Sequence, residues 1–287
     1  MLRKILITIF FLIVSSANFS YAGSKLQRAP PPLPDAPAEP VPDAPPPDNS
    51  EYGEIAACGD GVTDCISVFP SQKYHEQYLV LKNISPTFGG IINVLKNTEP
   101  SFSIEARECG VINSWYNPQF KKITLCYEYL EDGDNFIYDH YSNQPPQVIA
   151  NLQTGIFISV LMHEYGHAVI DIENMPVLGN EEDAADKIST IVLLEITKKN
   201  PNLGKLSIEG DLAYQSWIKT DLTNKRLFAD EHPLNEQRVF NKVCLAYGSN
   251  PELFADTAVR FGLPEKRAAR CASEYIKTKS AIDKLSK

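Results

Sequence analysis

Residues 148–172 (VIANLQTGIFISVLMHEYGHAVIDI) are apolar enough to demand a helix buried around most of its circumference. Ionisable groups inside such a helix must be paired or bound to something, because a lone buried charge is too costly to keep. The run nevertheless carries His163, Glu164 and His167 as H-E-x-x-H. Four residues turn an α-helix by about 400°, which leaves the two imidazoles about 40° apart and one turn from each other. They can share one zinc ion, with Glu164 beside it as a general base toward water. The competing reading is a buried helix with two hydrogen-bonded histidines and a Glu that happens to lie between them. Gly166 costs roughly 1 kcal/mol of helix propensity, so a close neighbour, here expected to be the strand layer, should press on the backbone at that point.

Hydrolytic zinc sites use three protein ligands and keep a position open. An H-x-x-G-x-x-H extension is absent, since Ile170 and Glu173 occupy its places, and Glu173 is rotated about 240° from His167. Asn180 instead predicts the N-cap of a second helix that opens with Glu181, Glu182 and Asp183 and ends before Pro201. Glu182 is expected as the third ligand, and Asp186, one turn on, as the carboxylate that orients a histidine N–H. Glu181 and Asp186 remain substitutes for the ligand role. The plain alternative for the acidic cluster is that acidic residues gather at helix starts for the dipole alone.

H-E-x-x-H followed by E-x-x-x-D on a second helix resembles the gluzincin zinc peptidases, and the E-D-A-A-D of residues 182–186 is similar to their HtpX and CAAX-protease branch. That branch has, in the same order, an N-A-F-like strand, an edge strand, the zinc helices and a late H-P-x-x-x-x-R. The matching stretches here are Asn113-Ser114-Trp115-Tyr116, Ile123 to Tyr127, and His232-Pro233 through Arg238. Those enzymes are commonly embedded in membranes, so their substrates are not carried over. Residues 72–274 also resemble a family of exported bacterial metallopeptidases, through HEYGHAVID, PVLGNEEDAAD, ADEHPLNEQR with Cys244 and Tyr247-Gly248, and LPEKRAARC. The resemblances imply a zinc peptidase whose extended substrate pairs antiparallel with an exposed edge strand at Ile123, Thr124, Leu125, Cys126 and Tyr127. They also imply catalytic roles for His232, as a hydrogen-bond donor to the oxyanion, and for Arg238, which positions or assists it. On residue type alone, Asp230-Glu231-His232 reads equally well as a solvated helix entry before Pro233.

The net charge of −9 and pI near 5.1 leave no basic field to recruit nucleic acid, so a peptide or protein substrate is the expected partner. Arg3 and Lys4, an apolar run from Ile5 to Val14 and Ser20-Tyr21-Ala22 read as an export signal over residues 1–22. No later segment is apolar enough to span a membrane, which predicts a periplasmic or secreted product. Residues 23–51 form a proline-rich linker, with ten of the 21 prolines between positions 29 and 48. Six cysteines in an exported chain predict three disulfides. Pairing of sequence neighbours is favoured: Cys58 with Cys65, Cys109 with Cys126, and Cys244 with Cys271.

Residues 52–287 are then one α+β domain, mainly helical and zincin-like, with a small sheet beside the active-site helix. Residues 73–96 predict two helices or one broken helix. Short strands are expected at residues 102–104, 111–116 and 121–127, followed by a polar stretch that ends in Pro145-Pro146. Two other functions share these residues: a zinc-binding envelope protein without turnover, and a zinc hydrolase of a non-protein amide such as a cell-wall crosslink. Glu164 speaks against the first, because a purely structural zinc site has no use for a base. Nothing in the sequence speaks to oligomeric state.

Overall fold

A computed structural model describes residues 54–55, 66–82, 102–199, 201–218, 220–221, 223–224 and 228–285. The expected export signal, the linker, the Cys58–Cys65 pair and the second half of the 73–96 helical region lie outside these. Residues 75–82 are helical.

The described chain is α+β and mostly helical. A five-stranded sheet comprises β1 (Glu54–Ile55), β2 (Ile66–Val68), β3 (Ser103–Arg107), β4 (Ser114–Asn117) and β5 (Lys122–Cys126). Seven helices follow: α1 (Tyr127–Tyr141), α2 (Pro146–Ile172), α3 (Glu181–Lys199), α4 (Pro201–Trp217), α5 (Asn235–Ser249), α6 (Pro251–Arg260) and α7 (Glu265–Leu285).

The strand order is β1-β2-β3-β5-β4. β5 runs parallel to β3, with Ile104 opposite Ile123, and antiparallel to β4, with Tyr116 opposite Ile123. The strand expected at the edge, Ile123 to Tyr127, is therefore interior. Ile123, Thr124, Leu125 and Cys126 are all buried, as suits a strand covered on both faces and paired on both sides. Tyr127 is not in the strand at all; it opens α1. β4 occupies the edge, and among the described residues no strand pairs with its other side.

The stretch expected to be only polar folds as α1. Its sequence, YEYLEDGDNFIYDHY, is acidic, but Gly133, Phe136 and Ile137 return to one face at helical spacing and are buried there. α2 takes the whole apolar run, with Pro146 in its first turn, where a missing N–H costs nothing. It packs on β4 and β5 on one side and on α3 and α4 on the others. Its contact with α4 is close: a Cβ on Gly155 would lie 2.7 Å from the Leu206 carbonyl oxygen. One core joins Ile104, Ile123 and Leu125 of the sheet to Leu161 and Tyr165 of α2 and Ile191 of α3.

Disulfides join Cys109 to Cys126 and Cys244 to Cys271, two of the three expected pairs. The first ties the turn after β3 to the end of β5, and the second ties α5 to α7. Among the described residues no helix is long and apolar enough to cross a membrane.

Candidate metal centre

His163 and His167 lie one turn apart on α2 and point their Nε2 atoms at one spot, 3.3 Å from each other. Glu182, in the first turn of α3, closes the third side. Its Oε2 is 3.0 Å from His163 Nε2 and its Oε1 is 3.1 Å from His167 Nε2. Asn180 caps α3 as its residue type predicts, accepting from the backbone N–H of Glu182 at 2.8 Å, which fixes the turn that carries Glu182. The Asn180 side-chain amide also donates to the Glu231 carbonyl oxygen and so ties this turn to the segment that carries His232.

The far side of each imidazole meets a carboxylate. His163 Nδ1 donates to Asp186 Oδ1 at 3.0 Å, and His167 Nδ1 donates to Glu181 Oε1 at 2.9 Å. Carboxylates only accept, so Nδ1 carries the proton and Nε2 is left with a lone pair directed at the shared point. Two imidazole lone pairs and a carboxylate brought this close repel one another unless a cation or protons lie among them. The donor atoms of His163, His167 and Glu182 fall within 4.8 Å of one another. Two imidazoles and one carboxylate are a donor set that suits zinc, and each imidazole has the outer partner that metal-binding histidines usually show. A second cluster, Cys109, Cys126 and Glu128, has no such capacity, because its thiols are consumed by the disulfide.

Glu181 proves to be an orienting carboxylate for His167, a role for which its place in the sequence carries no signal beyond proximity to Glu182. Asp186 sits where expected, but its surroundings are richer than its spacing suggests. Arg238 donates to it twice, from Nε at 2.6 Å and Nη2 at 2.9 Å, and Lys242 Nζ approaches at 3.1 Å. Arg238 is thus engaged with the carboxylate behind His163 through both of these hydrogen bonds. Its fork matches a carboxylate and is spent there. Lys242 lies four residues after Arg238 on α5, so helical spacing alone places the two on one face.

His232 reaches the centre through its Nε2, 3.1 Å from Glu182 Oε2. Its backbone N–H donates to Asp230 Oδ1 at 2.9 Å. Glu164 is 5% exposed and lies beside His163 and His167. Together with His163, His232 and Arg238 it lines a cavity of about 140 Å³ that also receives Asn113 and Ser114 from the β4 end of the sheet.

The charges in the centre are strongly coupled. Burial pushes the Glu164 carboxyl above its ordinary range, against the pull of His163 and His167. Burial also opposes charge on His163, yet hydrogen bonds to Asp186 and Glu182 push its pKa up to about 9. For Glu182 burial acts upward, but the three histidines hold it well below the usual carboxylate range. Asp186, against its own burial, is held low by Lys242, His163 and Arg238.

Gly166 explains how the two helices come so close. A Cβ there would lie 2.7 Å from the Ala185 carbonyl oxygen and 2.9 Å from the Ala185 Cα. The close neighbour is α3, not the strand layer, and Ala185 stands between Glu182 and Asp186 on that helix.

Residues 70–285 match a family described as "Putative metallopeptidase". The match covers most of the chain, which therefore belongs to this family. Membership supports a hydrolase that acts on peptides and implies a metal. No curated protein and no solved structure matches the chain.

Proposed function

We propose that the protein is a zinc-dependent metallopeptidase of gluzincin type, in which His163, His167 and Glu182 hold the zinc and Glu164 is the general base. The observation that carries this reading is the convergence of three donor atoms within 4.8 Å, beside a buried carboxylate on the same helix. When bound, zinc supplies Lewis acidity that polarises a peptide carbonyl and brings a water within reach of deprotonation near neutral pH.

Glu164 takes the proton from water at its carboxylate oxygen and returns it to the leaving amide nitrogen. Its burial favours the protonated form that this return requires. His232 stands at the rim as a donor to the developing oxyanion. Its hydrogen bond to Glu182 outweighs burial and raises its pKa, which keeps the imidazole a donor. Asp186, clamped by Arg238 and Lys242, holds the His163 ring so that Nε2 faces the metal. Arg238 is accordingly a positioning residue.

The substrate backbone is proposed to pair with the free edge of β4, Ser114–Asn117, in place of the interior β5. Asn113 and Ser114 share the cavity with Glu164, which supports this placement. For the rest of the chain we propose residues 1–22 as an export signal, 23–51 as a spacer and 52–287 as the peptidase domain, acting in the periplasm or outside the cell. The two disulfides support an oxidising compartment.

Metal analysis and a peptide digest test the proposal together. Wild-type protein should carry one zinc and cleave peptides, Glu182→Ala should lose the zinc, and Glu164→Gln should keep the zinc and lose cleavage. Undiminished cleavage by Glu164→Gln overturns the mechanism.

A further inference from the structure

Helix α7 runs against the charge of the chain. Residues 265–287 carry seven Lys and Arg against three Asp and Glu, a net of +4, while the remainder of the chain holds −13. Cys271, Tyr275 and Ile282 form the buried side of α7, and the Cys244–Cys271 disulfide ties that side to α5. The helices also touch through their backbones, since a Cβ on Gly248 would run into the Cys271 carbonyl.

The opposite side of α7 faces solvent. At 100° per residue Lys266, Arg270, Lys277 and Lys284 fall within about 40° of one another, in a single row about 27 Å long. All four are exposed. Other cations of the helix are engaged, Arg267 with Glu274 and Lys279 with Asp283. Lys266, Lys277 and Lys284 enter no ion pair among the described residues, and Arg270 has only Glu274, 3.6 Å away. Like charges four residues apart, as at Lys266 and Arg270, work against a helix, and only Lys284 stands in the last turn, where the dipole favours a cation. The stability of α7 therefore does not account for the row.

The form of the row narrows its partner. Ser273 and Ala281 lie among the cations and Ala269 beside them, so only Lys and Arg stand tall on this face. A straight line of one sign over short side chains fits a flat, extended anionic surface, whereas a small ligand needs concavity. Ile276 is 64% exposed and Leu285 39%, which adds apolar contact at the edge of the row. Lysine stems can bury their methylenes beneath a headgroup layer while the ammonium stays among the phosphates. The aromatic platforms that stack on single-stranded nucleic acid are missing, since Tyr275, the one aromatic residue of α7, is buried. Screening over about 8 to 10 Å weakens repulsion from the negative remainder of the molecule more than attraction at the row itself.

We infer that the outer face of α7 docks on an anionic lipid bilayer, with Lys266, Arg270, Lys277 and Lys284 against the lipid phosphates. Each Lys or Arg held near such a surface raises partitioning about fivefold, so the four amount to about 600-fold at full contact. This is a peripheral contact, distinct from spanning the bilayer. α7 meets α5 at Asn241, Cys244 and Gly248, whereas Arg238 and Lys242 of α5 turn to Asp186. The docking face thus lies away from the metal centre, and the inference does not depend on the peptidase reading.

Co-sedimentation with vesicles tests it, using residues 23–287, the chain after the proposed export cleavage, so that the apolar run at residues 5–14 takes no part. At low salt the protein should bind vesicles of phosphatidylcholine with about a third phosphatidylglycerol at least about 30-fold more tightly than pure phosphatidylcholine, and salt of about 0.5 M should remove the difference. Changing Lys266, Lys277 and Lys284 together to Gln should bring the preference down to about fivefold, the share of Arg270, at unchanged Tm and metal content. Equal binding of the unaltered protein to both vesicles overturns the inference, and this arm needs no variant. A preference that survives the triple substitution overturns it too. Binding of soluble polyphosphate without binding of either vesicle would assign the row to an anionic polymer instead. Vesicle binding that appears only after Asp35, Glu39, Asp43 and Asp48 are changed to their amides would assign the row to that acidic segment, and either result overturns the inference.

Discussion

One methyl group added at residue 166 should weaken metal binding without touching a ligand. In Gly166→Ala the new Cβ would lie 2.7 Å from the Ala185 oxygen, 2.9 Å from its Cα and 3.1 Å from its carbonyl carbon, all backbone atoms of α3. Relief at optimal carbon separations of about 3.5 Å requires α2 and α3 to part by roughly half an ångström or more. Overpacking of this kind costs about 1 to 3 kcal/mol, and the better helix propensity of alanine returns about 1 kcal/mol. The net destabilisation is then about 1 kcal/mol, equivalent to a fall in Tm of roughly 2 to 4 °C for a domain of this size. The effect on metal is larger in proportion. Glu182 is on α3 three residues before Ala185, whereas His163 and His167 are on α2, so parting the helices stretches the proposed ligand set directly. Coordination distances tolerate only about 0.2 Å. A loss of zinc affinity of about 10 to 100-fold is expected, comparable to removing an outer-shell partner. Competition against a chromophoric chelator measures the affinity, and thermal unfolding with and without zinc measures the stability. Wild-type zinc affinity in a Gly166→Ala protein whose Tm has fallen would refute the link between helix approach and ligand geometry.

Asp186→Asn keeps an oxygen for His163 Nδ1 but removes the charge that Arg238 and Lys242 hold, so zinc affinity should fall about 10 to 100-fold; unchanged affinity would dismiss Asp186 as the orienting group. Zinc must displace the proton from His163, whose pKa is pushed up to about 9, so affinity should rise with pH throughout the range below 9. The slope from this group alone is about tenfold per pH unit, and a flat profile between pH 6 and 8 in the chelator assay would contradict it. Non-reducing peptide mapping should recover Cys109 with Cys126 and Cys244 with Cys271, and the proposed Cys58–Cys65 pair with them; exchanged partners would break the local-pairing argument.

Much of the centre was legible before any fold was known, because its geometry is set along single helices. The 100° step of α2 brings His163 and His167 to one face, and the Asn180 cap sets where α3 begins, so Glu182 and Asp186 fall one turn apart. The apolar run that became α2 needed no partner to identify it, since burial on all sides writes itself into composition. The sheet was harder. Alternation and β-branched content mark residues 122–126 as a strand, but hydrogen-bond partners on either side are other segments of the chain. Only the assembled order, β3-β5-β4, shows that Ile123 to Cys126 are interior and that Ser114–Asn117 holds the edge. The acidic α1 hid its buried face behind exposed charge. The same limit applies to the surroundings of the proposed ligands. Glu181 on His167, Arg238 and Lys242 on Asp186, Ala185 against Gly166, and Lys242 on Asp211 each join two different elements. Such pairs depend on how the helices dock, which the core decides through long-range packing, and no local pattern encodes it.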